Sequence, residues 1–212
     1  MKVALVGTAP GWEEAPWGNP AWDIWGLNDA YQLFGADRHC TRWFELHGDT
    51  PLTRARRPPD HFERIAAMNI PVYYLHGDPP APQARRFPVE EAARVGRDYF
   101  ACTTAYQIAL TLLEDADEIA PYGMPFQGNR EVVVERPCVS WWLGLAEGRG
   151  VRVTVPAFEL LYHPFRYALE DEHERRSVYR ASWHVRESLN RWLPAEAERL
   201  GIINAPGAGM WP

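Results

Sequence analysis

Lysine is almost missing from this chain: Lys2 is the single lysine in 212 residues, and arginine carries every other basic side chain. Acids outnumber bases, 28 against 22, for a formal net charge of -6 at neutral pH. A dedicated nucleic-acid binder shows the opposite balance, so nucleic acid is disfavoured as a partner, although arginines do gather at Arg54, Arg56 and Arg57 and again at Arg85 and Arg86. Cysteine is scarce as well. Cys40, Cys102 and Cys138 are widely spaced, odd in number and without a CxxC pair, which favours buried reduced thiols over a disulfide framework. No apolar run approaches the ~20 residues of a membrane-spanning helix, and no charged-then-apolar leader precedes Val3. The expectation is a soluble cytoplasmic protein with no membrane partner. GxGxxG and GxxxxGK[ST], the commonest nucleotide fingerprints, are absent. So are HxH and HExxH, and no metal is expected.

What the chain does have is apolar material, 46% hydrophobic residues with 10 tryptophans, enough for one sizeable core. Short β-branched or aromatic runs at 2–6, 22–26, 41–46, 70–75, 116–122 and 151–155 read as strands. Between them, 60–68, 105–113 and 137–148 carry helical spacing. Asp60 is placed to cap the first, and Thr103 or Thr104 the second. Residues 51–59 and 79–88 are rich in proline and arginine and read as loops, and 131–135 as a short extended arm. Strands alternating with helices imply an α/β fold: a Rossmann-like, mostly parallel sheet with helices on both faces and a C-terminal helical extension. The nucleotide-site domain spans 1–160, the extension 161–204, and a flexible Gly/Pro-rich tail 205–212.

In such a sheet the ligand crevice lies at the carboxyl ends of the strands. Gly7-Thr8-Ala9, Asn28-Asp29, His47-Gly48-Asp49, His76-Gly77-Asp78 and Tyr122-Gly123 each follow a strand directly, so polar and glycine residues collect at one edge. The turn Gly7-Thr8-Ala9-Pro10-Gly11 is either a close approach of backbone to a phosphate or a tight strand exit. Thr103-Thr104 is either an anion site at a helix start or an ordinary cap. His47, at the end of a buried strand, is a candidate general base or a polar strand terminus. Asn28 suits a base or ribose, or a helix cap. Trp12, Trp17, Trp22 and Trp25 cluster beside the first turn, as core residues or as a stacking surface for a ring.

Four segments in this order, Val6 to Trp12, Trp22 to Tyr31, Arg42 to His47 and Ala101 to Met124, resemble the one-domain bacterial sialyltransferases that use CMP-sialic acid, and the related 6-hydroxymethylpterin diphosphokinase-like proteins. The stretch Trp43-Phe44-Glu45-Leu46-His47 is also similar to uncharacterised phage-encoded proteins. The resemblance implies that Gly7, Thr8, Ala9 and Pro10 face phosphate or ribose, that Asn28 contacts the nucleotide, and that Thr103 and Thr104 line the site. This chain departs from that pattern at three places. Ala9 replaces the second glycine, Gly123-Met124-Pro125 lacks the acid of Gly-Ile-Asp, and Glu131, Glu135 and Arg136 stand where the catalytic histidine is expected.

The reading that follows is a nucleotide or nucleotide-sugar site serving glycosyltransferase-like group transfer. The donor nucleotide is its small-molecule ligand, and no further cofactor is implied. His47 or Glu135 would deprotonate an acceptor hydroxyl, and Arg85 or Arg86 on the 79–88 loop would close over the phosphate charge. Two other classes stay open: a non-catalytic nucleotide-binding protein, and a phage-type interaction protein on the same scaffold. Nothing in the chain specifies an oligomeric state.

Overall fold

The structure, a computed structural model, describes residues 1–34, 38–124, 126 and 131–155. The extension expected at 161–204 and the tail at 205–212 lie outside the described residues. Seven strands form one sheet in the order β5-β4-β3-β2-β1-β6-β7. They are β1 (Lys2–Val6), β2 (Trp22–Leu27), β3 (Arg42–Phe44), β4 (Val72–Tyr74), β5 (Ala84–Arg86), β6 (Glu118–Tyr122) and β7 (Arg152–Val153). Every neighbouring pair is parallel. Among the described residues five α-helices accompany them: α1 (Pro51–Arg56), α2 (His61–Ala67), α3 (Val89–Val95), α4 (Thr103–Leu113) and α5 (Arg136–Gly148).

Side-chain alternation in β1 shows how the layers form. Val3 and Leu5 pack on one face with Ala92 of α3, Ile108 of α4 and Trp142 of α5. Ala4 and Val6 face the other way, against Ile24 and the ring cluster of Trp12, Trp17 and Trp22. Further along the sheet that second face is covered by α2, whose Ile65 meets Trp43 and Val72. Helices thus cover both faces, and both faces of the central strands are buried, as a parallel sheet requires. Among the described residues no helix is long and apolar enough to cross a membrane.

The structure differs from the sequence reading in several short elements. The 51–59 stretch contains a helix: Pro51 opens α1, and the Thr50 side chain caps it by accepting from Thr53 N at 3.1 Å. The 79–88 stretch contains β5, recruited by pairing with β4, and α3 follows it. The run at Glu131–Glu135 is a π-helical turn leading into α5, not an extended arm. α4 begins at Thr103, so both threonines sit in its first turn and Cys102 is the N-cap. Asp60 makes no cap bond; its carboxylate accepts from Arg64 Nε at 2.6 Å instead.

β7 is only Arg152–Val153 because β6 runs out of donors. Ile119 O accepts from Thr154 N at 2.9 Å, so position 121 presents its backbone to the same side, and Pro121 has no N–H to offer.

Candidate functional site

From β1 the chain steps outward through β2 to β5, then returns to place β6 on the other side of β1. The order reverses between those two strands, and a crevice opens beyond their carboxyl ends. A cavity of about 540 Å³ occupies it, a size typical of small-ligand sites. Gly7, Thr8, Ala9, Pro10, Asn28, His47, Thr103, Thr104 and Glu135 all line this one cavity, with Leu27, Cys102, Gly123, Met124 and Phe126. Arg85 and Arg86 do not reach it. They lie in β5, four strands from β1 in the sheet order, which is roughly 19 Å at ~4.8 Å per strand. There the Arg86 guanidinium sits over the Tyr74 ring, 5.7 Å from its centroid. Trp12 and Trp17 are not among the lining residues either; they pack on Phe34 with centroids 5.5 and 4.9 Å away.

The first turn is built by the register of β1 on β6, which sets Val6 opposite Tyr122 and brings the two strand exits together. Gly7 N donates to Tyr122 O at 2.9 Å and Ala9 N to Gly123 O at 3.0 Å. Those amides are therefore spent on β6, leaving the Thr8 amide and hydroxyl as the turn's donors. A Cβ on Gly7 would lie 2.5 Å from Gly123 O, so glycine is required for the close approach of the two exits. The turn is a tight strand exit, and it also borders the cavity.

Asn28 is held in a left-handed conformation, φ 49. Its N–H donates to Phe44 O at 2.9 Å, and its carbonyl accepts from Trp43 Nε1 at 3.0 Å. Its Oδ1 is buried and has no hydrogen-bond partner among the described residues. A buried acceptor left unmade costs about 1–3 kcal/mol, and the residue that carries it borders the cavity.

On the neighbouring strand end, Glu45 is fully buried and gathers three cationic or imidazole groups. Its Oε1 accepts from His47 Nδ1 at 2.9 Å, and its Oε2 from His61 Nε2 at 3.0 Å. Arg57 Nε lies 3.3 Å from Oε2, an ion-pair contact without hydrogen-bond geometry, while Arg57 Nη1 donates to Asp29 Oδ1 at 3.1 Å. Burial pushes the Glu45 carboxyl up, but the hydrogen bonds from His47 and His61 and the charge of Arg57 outweigh it and hold the pKa down at about 2.

An ionised carboxylate only accepts, and this orders the protons of the network. His47 must carry its hydrogen on Nδ1, so the neutral ring keeps its lone pair on Nε2 at the cavity edge, where the side chain is 54% exposed. His61 likewise donates from Nε2, and its Nδ1 lies 2.9 Å from the Tyr31 hydroxyl, which donates to it. Burial, with the charges of Asp60 and Asp29, raises Tyr31 to about 12 and keeps that donor protonated.

The opposite wall is the start of α4. Cys102 supplies no side-chain capping hydrogen bond, its carbonyl accepts from Ala105 N at 3.1 Å, and Cys102, Thr103 and Thr104 line the cavity at the positive end of the helix dipole. The Cys102 thiol is pushed up to about 12 by burial, against the pull of the Ala105 and Thr104 amides, so it stays protonated and is no nucleophile. The Thr104 hydroxyl donates to Met124 Sδ at 3.5 Å. Glu135 ends the π-helical turn and borders the same space. Among the described residues no group of three His, Cys, Asp or Glu is arranged to hold a metal ion.

Sequence reasoning singled out His47 but missed Glu45, His61, Arg57 and Tyr31. The available signal was an acid inside the apolar run Trp43-Phe44-Glu45-Leu46, two residues before a histidine.

The chain matches no family model and no curated protein. In three dimensions it is similar to the sialyltransferase CstII from Campylobacter jejuni in complex with the substrate analogue cytidine-5'-monophosphate. The TM-score is 0.47 at 11% identity, over 85% of this chain and 99% of that one. A mutant of alpha-2,3/8-sialyltransferase CstII aligns with a TM-score of 0.41 at 12% identity, over 84% of this chain and 100% of that one.

Proposed function

We propose that this protein binds a nucleotide sugar between the β1 and β6 exits and transfers the sugar to an acceptor hydroxyl. One observation carries the reading. A single cavity at the topological switch joins a helix start without a side-chain cap, a buried Asn28 Oδ1 unpartnered among the described residues, and an imidazole whose tautomer is set by a buried carboxylate.

In this mechanism the first-turn amides of α4 and the Thr8 donors hold the phosphate. Asn28 accepts from the base or ribose. The acceptor oxygen attacks the anomeric carbon, the bond to the phosphate oxygen breaks with its electron pair leaving on the nucleotide, and the hydroxyl proton passes to His47 Nε2. Glu45 stabilises the imidazolium so formed, an arrangement in which a positioned base contributes about 10²–10⁴ in rate. Glu135 borders the same space and is the second candidate for the proton.

The test is a thermal-shift screen of the full chain against nucleoside phosphates and nucleotide sugars, CMP among them, followed by turnover assays on any ligand found. A ligand at ~100 times its Kd adds about 2.7 kcal/mol, a rise of roughly 5–10 °C for a chain of this size. His47→Ala should then retain binding and lose turnover. No shift with any nucleotide would overturn the reading, and binding without turnover would leave a nucleotide-binding protein.

A further inference from the structure

The His-Gly-Asp sequence occurs twice, at residues 47–49 and 76–78, and the nucleotide site uses only the first. The two copies lie side by side. Asp49 N donates to Asp78 O at 3.0 Å, and the His47 and His76 rings meet edge to face with centroids 6.3 Å apart. Beneath them is a second, smaller cavity of about 180 Å³. Its wall is made by His47, His76, Arg56, Arg57 and the hydroxyl-bearing Thr50 and Thr53. His47 is the residue it shares with the larger cavity.

The polar groups of the lining are guanidinium, imidazole and hydroxyl, with no carboxylate; Leu52 adds an apolar side, and the two hydroxyls bond each other at 2.8 Å. The acids nearby are already committed: Glu45 and Asp29 to Arg57, and Asp49 to Arg54. Arg56 and His76, by contrast, have no ion-pair or hydrogen-bond partner among the described residues. Two open donors facing a space free of negative charge make a site for an anion. The volume, about 180 Å³, is that of roughly six waters at ~30 Å³ each, ample for one charged end-group.

We propose that this cavity holds the carboxylate or phosphate of the acceptor, and so delivers the acceptor's hydroxyl to His47 from the side opposite the donor. The acceptor would then be an anionic molecule, not a neutral sugar. Its role as acceptor rests on the group-transfer reading; the anion site itself does not.

The experiment follows the histidine side chains of the full chain by nitrogen-correlated NMR, titrating inorganic phosphate and, separately, acetate at constant ionic strength. His76 is expected to shift saturably. A response to phosphate alone assigns a phosphorylated acceptor, and a response to acetate assigns a carboxylate. Arg56→Gln, an exposed helix position, should weaken that binding about tenfold or more while keeping the parent's melting temperature. No saturable shift at His76 with either anion, or an equal shift in Arg56→Gln, would overturn the proposal. The panel of nucleoside phosphates and nucleotide sugars is titrated separately by calorimetry with phosphate present. Absence of binding by every member of that panel, with the His76 response intact, defeats the nucleotide reading and leaves the anion site standing.

Discussion

Replacing Glu45 by Gln tests the centre of the site. Glutamine keeps the shape of the side chain but has one acceptor oxygen, so it cannot accept from both His47 Nδ1 and His61 Nε2. The native carboxyl is held at about 2 against an ordinary 4.5, and at 1.36 kcal/mol per unit that is about 3 kcal/mol of folding stability. Because the folded pKa is depressed, this contribution is fully present above pH ~4.5 and disappears as pH falls toward ~2. Urea denaturation at a series of pH values should therefore show Glu45→Gln less stable than the parent by about 3 kcal/mol at pH 7. The gap should narrow below pH ~4.5 and nearly close near pH 2, where the protonated parent is close to isosteric with the variant. A constant gap across that range would mean the loss is one of packing. No gap at pH 7 would mean the carboxylate is not ionised and bonded as described, and the assignment of the His47 tautomer would fall with it.

Two other substitutions separate stability from binding. Asn28→Gly removes an unpartnered buried oxygen and suits the left-handed backbone, so stability should hold or rise by up to about 1 kcal/mol while nucleotide affinity drops about tenfold or more; calorimetry showing parent affinity would mean Oδ1 meets no ligand. Gly7→Ala sets a Cβ 2.5 Å from Gly123 O and 2.8 Å from Met124 Cγ, so the β1 and β6 exits must part, at about 1–3 kcal/mol. A change below about 0.5 kcal/mol in a urea melt would show that the exits are not in contact.

The parts of the fold that can be read from sequence are those where local pattern and tertiary demand agree. β1 and α4 are long enough for their periods to show; the strand-end rule picks out Gly7, Asn28 and His47, and the helix-start rule Thr103-Thr104, without any knowledge of strand order, and all of them border one cavity. The elements that escape are short. α1, α3 and β5 have 6, 7 and 3 residues, too few to display a period, and β5 is defined by its bonds to β4 alone. The partners of Glu45 escape for another reason. His61 is 16 residues away and Tyr31 lies 30 residues from His61, so only the packing of α2 on the sheet brings them together. Arg85 and Arg86 show the converse error. Basic residues in a Pro-rich stretch resemble a lid, but the position of β5 at the sheet edge carries them away from the cavity.

The burial of Glu45 is itself informative. Alternation past β3 sends Phe44 and Leu46 into the core beneath α4 and α5 and sends Glu45 toward α2, beside Trp43. An apolar residue there would pack on α2 with no desolvation penalty, and exchanging buried ionic groups for well-packed apolar ones is often neutral or stabilising. Stability alone therefore gives no reason for an acid at this position. What an apolar residue cannot do is hold a proton on His47 Nδ1 and leave Nε2 bare at the edge of the cavity. The same carboxylate also binds His61 from the other oxygen, and Tyr31 beyond it, so its orientation is fixed from both sides. A strand end that only had to be capped would need one polar residue; this one is built as a chain of oriented donors that terminates on a single exposed imidazole between two cavities.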